Sequence, residues 1–179
     1  ATGKRGVKLV RAEGGVGANI DILISRERIP WSGHSGRFAI PEVYEAIRDS
    51  DMALVFVNTR SQAELLFQEL WRANEDALPI ALHHGSLAVE QRRKVEAAMA
   101  AGTLKGVVCT STLDLGIDWG GVDLVIQMGA PKGAARLIQR IGRANHRMDE
   151  ASRALLVPTN RFEILECRAA EAAVEAGEI

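Results

Sequence analysis

The feature that most constrains this chain is an alternation that begins at Pro41. Short, continuously apolar runs are separated by stretches with helical periodicity. Ala53-Leu-Val-Phe-Val57 is apolar at every position, as a strand buried on both faces requires. Pro79-Ile-Ala-Leu82, Gly106-Val-Val-Cys-Thr110, Val122-Asp-Leu-Val-Ile-Gln127 and Ala154-Leu-Leu-Val157 read as four more strands. Between them lie expected helices. Pro41–Arg48 has Pro in its first turn and buries Val43, Ala46 and Ile47. The next is opened by a capping box of Ser61 and Glu64. It presents Ala63, Leu66, Phe67, Leu70 and Trp71 on one apolar face, which makes Trp71 a core residue. Others run from Ala88 to Ala101, stopped by Gly102, from Gly133 to Ile141, and from Glu163 through the Ala/Glu-rich tail. Strand-helix alternation predicts crossover units and a parallel sheet covered on both faces.

The first forty residues read differently. Val7-Lys-Leu-Val-Arg and Asn19-Ile-Asp-Ile-Leu-Ile resemble two strands around Glu13-Gly-Gly-Val-Gly17. Residues 1–40 are thus expected to form a hairpin-like extension, packed on the core or on a neighbouring domain, with the main domain at 41–179. A chain of 179 residues suits one ordinary domain. The first residue is Ala, which fits a fragment of something longer. No apolar signal core follows it, and no run of about 18 apolar residues offers a membrane span. Two cysteines, Cys109 and Cys167, without C-x-x-C spacing argue against a zinc site or a disulfide scaffold, and fit a reducing cytoplasm. His83 and His84 are adjacent and poorly placed to chelate one ion, so no metal site is expected.

In parallel sheets, ligands gather at the carboxyl ends of the strands. There the sequence offers Asn58-Thr59-Arg60, then His83-His84-Gly85-Ser86, then Thr110-Ser111-Thr112-Leu113-Asp114, then Gly129-Ala130-Pro131-Lys132. Backbone N–H groups at helix starts, short hydroxyls and arginine forks are phosphate-binding chemistry. The net charge of −1 excludes a globally basic coat. Yet Lys132, Arg136, Arg140, Arg143 and Arg147 make a local basic stripe with no acid between its ends.

These segments resemble the superfamily 2 helicases. Leu54–Arg60 looks like motif IV, Val108–Asp118 like motif V and Gln139–Arg147 like motif VI, in matching order and spacing. His83-His-Gly-Ser-Leu87, Glu90-Gln-Arg92 and Leu115-Gly-Ile-Asp-Trp119 resemble the Lhr-type DNA helicases. Ile29-Pro-Trp-Ser-Gly-His34 and Leu156–Phe162 resemble their ligase-associated bacterial branch. The resemblance implies the second RecA-like domain of a motor, since no G-x-x-x-x-G-K-[ST] phosphate loop is found. ATP would bind between two domains, with Mg²⁺ held mainly by the first RecA-like domain, and the isolated chain should hydrolyse almost no ATP. DNA is the implied track, with 3′-to-5′ polarity, a role in repair, and a DNA ligase and nuclease as companions. An RNA helicase and a non-catalytic nucleic-acid-binding module are the alternatives.

Residue by residue, the resemblance makes Arg143 an arginine finger toward the γ-phosphate, against the plainer reading of a surface arginine. The second finger position departs from the pattern. His146 stands where many relatives carry Arg, and Arg147 or Arg140 would substitute. Gln139 fixes motif geometry or touches nucleotide. Asp118 approaches the ribose or caps a turn, and Gly116 allows close backbone approach. Thr110, Ser111 and Thr112 contact the tracked strand, cap the following turn, or both. Arg60 is a phosphate contact or a cross-cleft partner. His84 and Gly85 shape a turn near nucleic acid, and His83 is undecided. Asp114 reads as a surface acid. Trp31 stacks on single-stranded DNA or packs on another domain, and Trp119 stacks on a base or covers the sheet edge.

Overall fold

The computed structural model describes residues 18–114, 121–144 and 152–177. Six strands form one sheet: β1 (Asn19–Ile22), β2 (Ala53–Phe56), β3 (Ile80–His83), β4 (Gly106–Cys109), β5 (Leu124–Met128) and β6 (Arg153–Val157). Their spatial order is β1-β6-β5-β2-β4-β3, and every pairing is parallel. The helices are α1 (Ile40–Asp49), α2 (Arg60–Ala73), α3 (Val89–Ala100), α4 (Ala134–Ile141) and α5 (Arg161–Glu175). The α/β class expected from the alternation is observed.

The central strands β2, β4 and β5 are buried at every residue, which is why they read as apolar runs broken only by Gln127 of β5. Alternate side chains feed opposite layers. Val55, Val108 and Ile126 pack with Val43, Ile47, Leu66 and Leu70 of α1 and α2. Leu54, Phe56, Val107 and Val125 face the other way and meet Met99 of α3, Leu113 and Ala144. On that second face α4 and α5 close over β6, through Leu137, Ile141, Leu156, Cys167 and Ala170.

Three local expectations change. The capping box on α2 is Thr59 with Gln62, bonded reciprocally at 3.2 and 3.1 Å. The helix starts at Arg60, so Ser61 already lies inside its first turn. Trp71 is not core: it is 60% exposed and stacks on Phe67 with ring centroids 5.9 Å apart. Ala63, Leu66 and Leu70 define the buried arc, and at 3.6 residues per turn Trp71 falls roughly 100° from its centre. The described part of the first forty residues packs on the core as a sheet strand. β1 pairs with β6 in parallel, from Asn19↔Arg153 to Ile22↔Leu156. The Val7–Arg11 strand and the glycine turn lie outside the described residues.

Candidate nucleotide and nucleic-acid interface

The described residues among the expected site residues fall at the carboxyl edge of the sheet, in two dissimilar groups. The first joins β4, β5 and α4. Arg140 is 2% exposed. Its Nε donates to Asp114 Oδ1 at 2.7 Å, its Nη2 to Asp114 Oδ2 at 3.3 Å, and its Nη1 to Gln127 Oε1. The guanidinium carbon lies 4.5 Å from the centre of the Phe56 ring. Gln127 in turn donates to the Met128 carbonyl at 3.0 Å. Both charges of the pair are thus out of water and held by several groups. Removing one partner of such a pair costs about 3–5 kcal/mol.

Two expectations are corrected here. Arg140 cannot serve as a second cross-cleft cation while it neutralises a buried carboxylate. Asp114 is not a surface acid but the buried partner of Arg140, with Arg136 Nε 3.8 Å away. The sequence held a signal for this. Leu137, Arg140, Ile141 and Ala144 recur at helical spacing and are all buried, so Arg140 shares the apolar face of α4. The basic stripe is therefore interrupted at its centre.

Arg143 follows α4 and is half-buried. Its Nη2 donates to the Asp114 backbone carbonyl at 2.9 Å, and its N–H to the Arg140 carbonyl at 2.9 Å. One aspartate therefore holds both arginines, Arg140 through its carboxylate and Arg143 through its peptide oxygen. Gln139 and Gly142 are exposed at the end of the same helix. Gly116, Asp118 and Trp119, and likewise His146 and Arg147, lie outside the described residues.

The second group joins β2, β3 and β4. His83 is buried; its Nε2 lies 3.0 Å from Glu96 Oε1 and its Nδ1 2.9 Å from Thr112 Oγ. Both ring nitrogens of His83 are thus engaged, one by the Glu96 carboxylate and the other by the Thr112 hydroxyl. His84 is also buried. Its Nδ1 accepts from the Ser86 N–H at 3.3 Å, and its Nε2 faces Glu64 at 3.2 Å. The two histidines thus frame the turn at Gly85, where an added Cβ would touch Thr112 at 3.6 Å. Thr110 precedes the short 3-10 turn Ser111–Leu113 and makes no side-chain capping bond. Ser111 is exposed. Arg60 is exposed and donates to Ser86 Oγ at 2.7 Å, linking the ends of β2 and β3.

Sequence reasoning missed a third feature, beside β6. Glu163 is buried and accepts from the Thr159 N–H at 2.8 Å and hydroxyl at 2.7 Å, and it lies 3.2 Å from His34 Nδ1. An acid that reads as tail charge thereby fastens the Trp-Ser-Gly-His segment to α5.

Both cysteines are buried, and burial raises the thiol pKa well above its ordinary value for Cys109 and up to about 12 for Cys167. Neither is a thiolate nucleophile at neutral pH. Among the described residues no three His, Cys, Asp or Glu come together to hold a metal ion, and no helix is long and apolar enough to cross a membrane.

Residues 39–148 match the helicase conserved C-terminal domain. An ATP-dependent helicase Lhr-Core protein 2 from Thermococcus barophilus is 40% identical over 124 residues, covering 69% of this chain and 14% of that protein. An Lhr helicase/uracil glycosylase from Escherichia coli is 48% identical over 84 residues, covering 47% of this chain and 6% of that protein. The structure of the Mycobacterium smegmatis helicase Lhr bound to single-stranded DNA and AMP-PNP superposes with a TM-score of 0.82. It is 32% identical and covers 91% of this chain and 22% of that one. The chain spans a small part of each of these relatives.

Proposed function

Because the chain belongs to the helicase conserved C-terminal domain family and has its RecA-like fold, we propose that it is the second motor domain of an ATP-dependent DNA helicase of Lhr type. The observation that carries this reading is the double hold of Asp114 on Arg140 and Arg143. It seats a permanent cation at the carboxyl edge, directly after the Ser111–Leu113 turn.

In this reading Arg143 presents its guanidinium across a cleft to the γ-phosphate of ATP. Planar, permanent charge suits the spread negative charge of the transferring phosphoryl group. Arg140 positions Asp114 and does not itself reach the nucleotide. Gln139 and Gly142 border the finger. Gly116 and Asp118 line the nucleotide side, and His146 or Arg147 supplies the second polar group. In this reading Mg²⁺ is held mainly by the first RecA-like domain. Arg60, Thr110, Ser111, Thr112 and the His84-Gly85 turn take the phosphates of a DNA strand, with Thr112 held in place by His83. Contacts of this kind hold a strand without reading its sequence. Travel with 3′-to-5′ polarity, a repair role with a ligase and a nuclease, and a cytoplasmic location complete the proposal.

The test is Arg143→Ala in a protein that joins this chain to its phosphate-loop domain. ATP hydrolysis should fall roughly 10³-fold or more while DNA binding persists. Unchanged hydrolysis would instead support a non-catalytic binding module. Competition between DNA and RNA strands of the same length should favour DNA; preference for RNA would overturn the substrate assignment.

A further inference from the structure

The loop between β1 and α1 crosses the carboxyl edge of the sheet. Gly36, near its end, approaches Met128 and Thr159, where an added Cβ would meet the Met128 methyl at 2.7 Å. Trp31 stands in this loop and is 63% exposed. The segment that carries it is firmly tied down. Arg161 donates its backbone N–H to the Pro30 carbonyl at 3.0 Å and its Nε to the Ile29 carbonyl at 3.2 Å. Asn160 Nδ2 donates to the Gly33 carbonyl at 3.0 Å. The Arg161 guanidinium carbon lies 4.3 Å from the centre of the indole ring. One face of the ring is covered by a cation, and the exposure belongs to the rest.

Ordering backbone opposes folding, so an exposed indole fixed by three hydrogen bonds is a surface held ready. The geometry points to a base-stacking site for single-stranded nucleic acid, in which Trp31 takes one nucleobase on its open face and Arg161 pairs with an adjoining phosphate. A nucleotide brings both partners that this pair lacks, a π face and an anion. An apolar protein surface would bury the guanidinium without acceptors, which is unfavourable. Glu163 is engaged with Thr159 and His34.

This site rests on the nucleic-acid track proposed above and extends it. β6 stands three strand spacings from β4, or roughly 14 Å. Trp31's end of the edge and Ser111's are therefore close enough for one short strand to reach both.

The test measures binding of the 179-residue chain to an oligo-dT of about ten nucleotides by fluorescence anisotropy at low salt. Trp31→Ala should weaken binding about tenfold, Trp31→Phe should restore most of it, and Trp71→Ala should have no effect. In a chain carrying Trp71→Phe and Trp119→Phe, the remaining Trp31 emission should be quenched by the oligonucleotide. If Arg60→Ala weakens binding but Trp31→Ala does not, the stacking site is overturned and the track survives. If the unaltered chain binds no oligonucleotide, both are overturned. Trp31 emission that stays constant as the oligonucleotide binds also overturns the stacking site.

Discussion

The two stretches of the carboxyl edge treat arginine in opposite ways. Beside α4, Arg140 is sealed between Asp114, Gln127 and Phe56. At the ends of β2 and β3, Arg60 lies in solvent with one hydroxyl partner, Ser86. Both are arginines in phosphate-rich motifs, and charge alone does not separate them. What separates them is helical phase. Arg140 continues the buried row of Leu137 and Ile141, whereas Arg60 opens a helix whose first turn faces water. The dry arginine shapes the protein and the wet one is free to meet a ligand.

The sharpest way to break this comparison is Arg140→Ala. Leaving Asp114 buried without its partner should cost about 3–5 kcal/mol of stability, read from the urea midpoint. A loss below about 1 kcal/mol would place Arg140 with the surface arginines. Replacing the pair together, Asp114→Leu with Arg140→Met, should recover most of that stability. The backbone carbonyl at position 114 remains in this variant, so Arg143 keeps that hydrogen bond while the buried ion pair is gone.

Thr59→Ala removes the cap that starts α2 beside Arg60, and about 1 kcal/mol of stability should go with it. Arg60→Ala should change stability by no more than about 0.5 kcal/mol. Its effect belongs in the salt dependence of nucleic-acid binding, where the slope against log salt should fall by about 1. A stability loss as large as that of Arg140→Ala would erase the distinction.

The smallest effect concerns the buried thiols. Cys109 and Cys167 should resist a disulfide reagent at pH 8 until the chain unfolds. Their ordinary pKa is 9.0 and burial raises both. Below 9.0 the thiols are protonated in both states and stability is unaffected. As pH climbs above 9.0 the unfolded chain loses protons that the folded one keeps, so stability should decline. A rise in stability over that window would show that the thiols are not buried.

Much of the fold was legible because β2, β4 and β5 are covered on both faces, and Gln127 is the one polar side chain in their runs. β1 was legible as a strand but not as a member of this sheet. Its residues alternate between exposed and half-buried, and its partner lies far along the chain. The residues at the carboxyl edge were legible as a group, because strand ends are where such sheets present ligand groups. Their individual environments were not. Arg140's burial was marked by its helical spacing with Leu137 and Ile141, but Asp114 read as a surface acid because pairing across two segments leaves no mark in either. Glu163 was hidden among tail acids for the same reason, and Trp71 was misread because its helical angle was not weighed against the buried arc.

The β1–β6 ladder also has a consequence for how the chain is made. β1 emerges from synthesis long before β6, its neighbour among the described residues, since Asn19 pairs with Arg153. Until β6 is complete, β1 has no ladder to join and one flank of β5 stays open. Contacts this distant slow folding, and an unpaired apolar strand edge invites association with other chains. The last strand of the sheet therefore also acts as its closing seam, and a nascent chain stopped short of Arg153 should be the form most prone to aggregate.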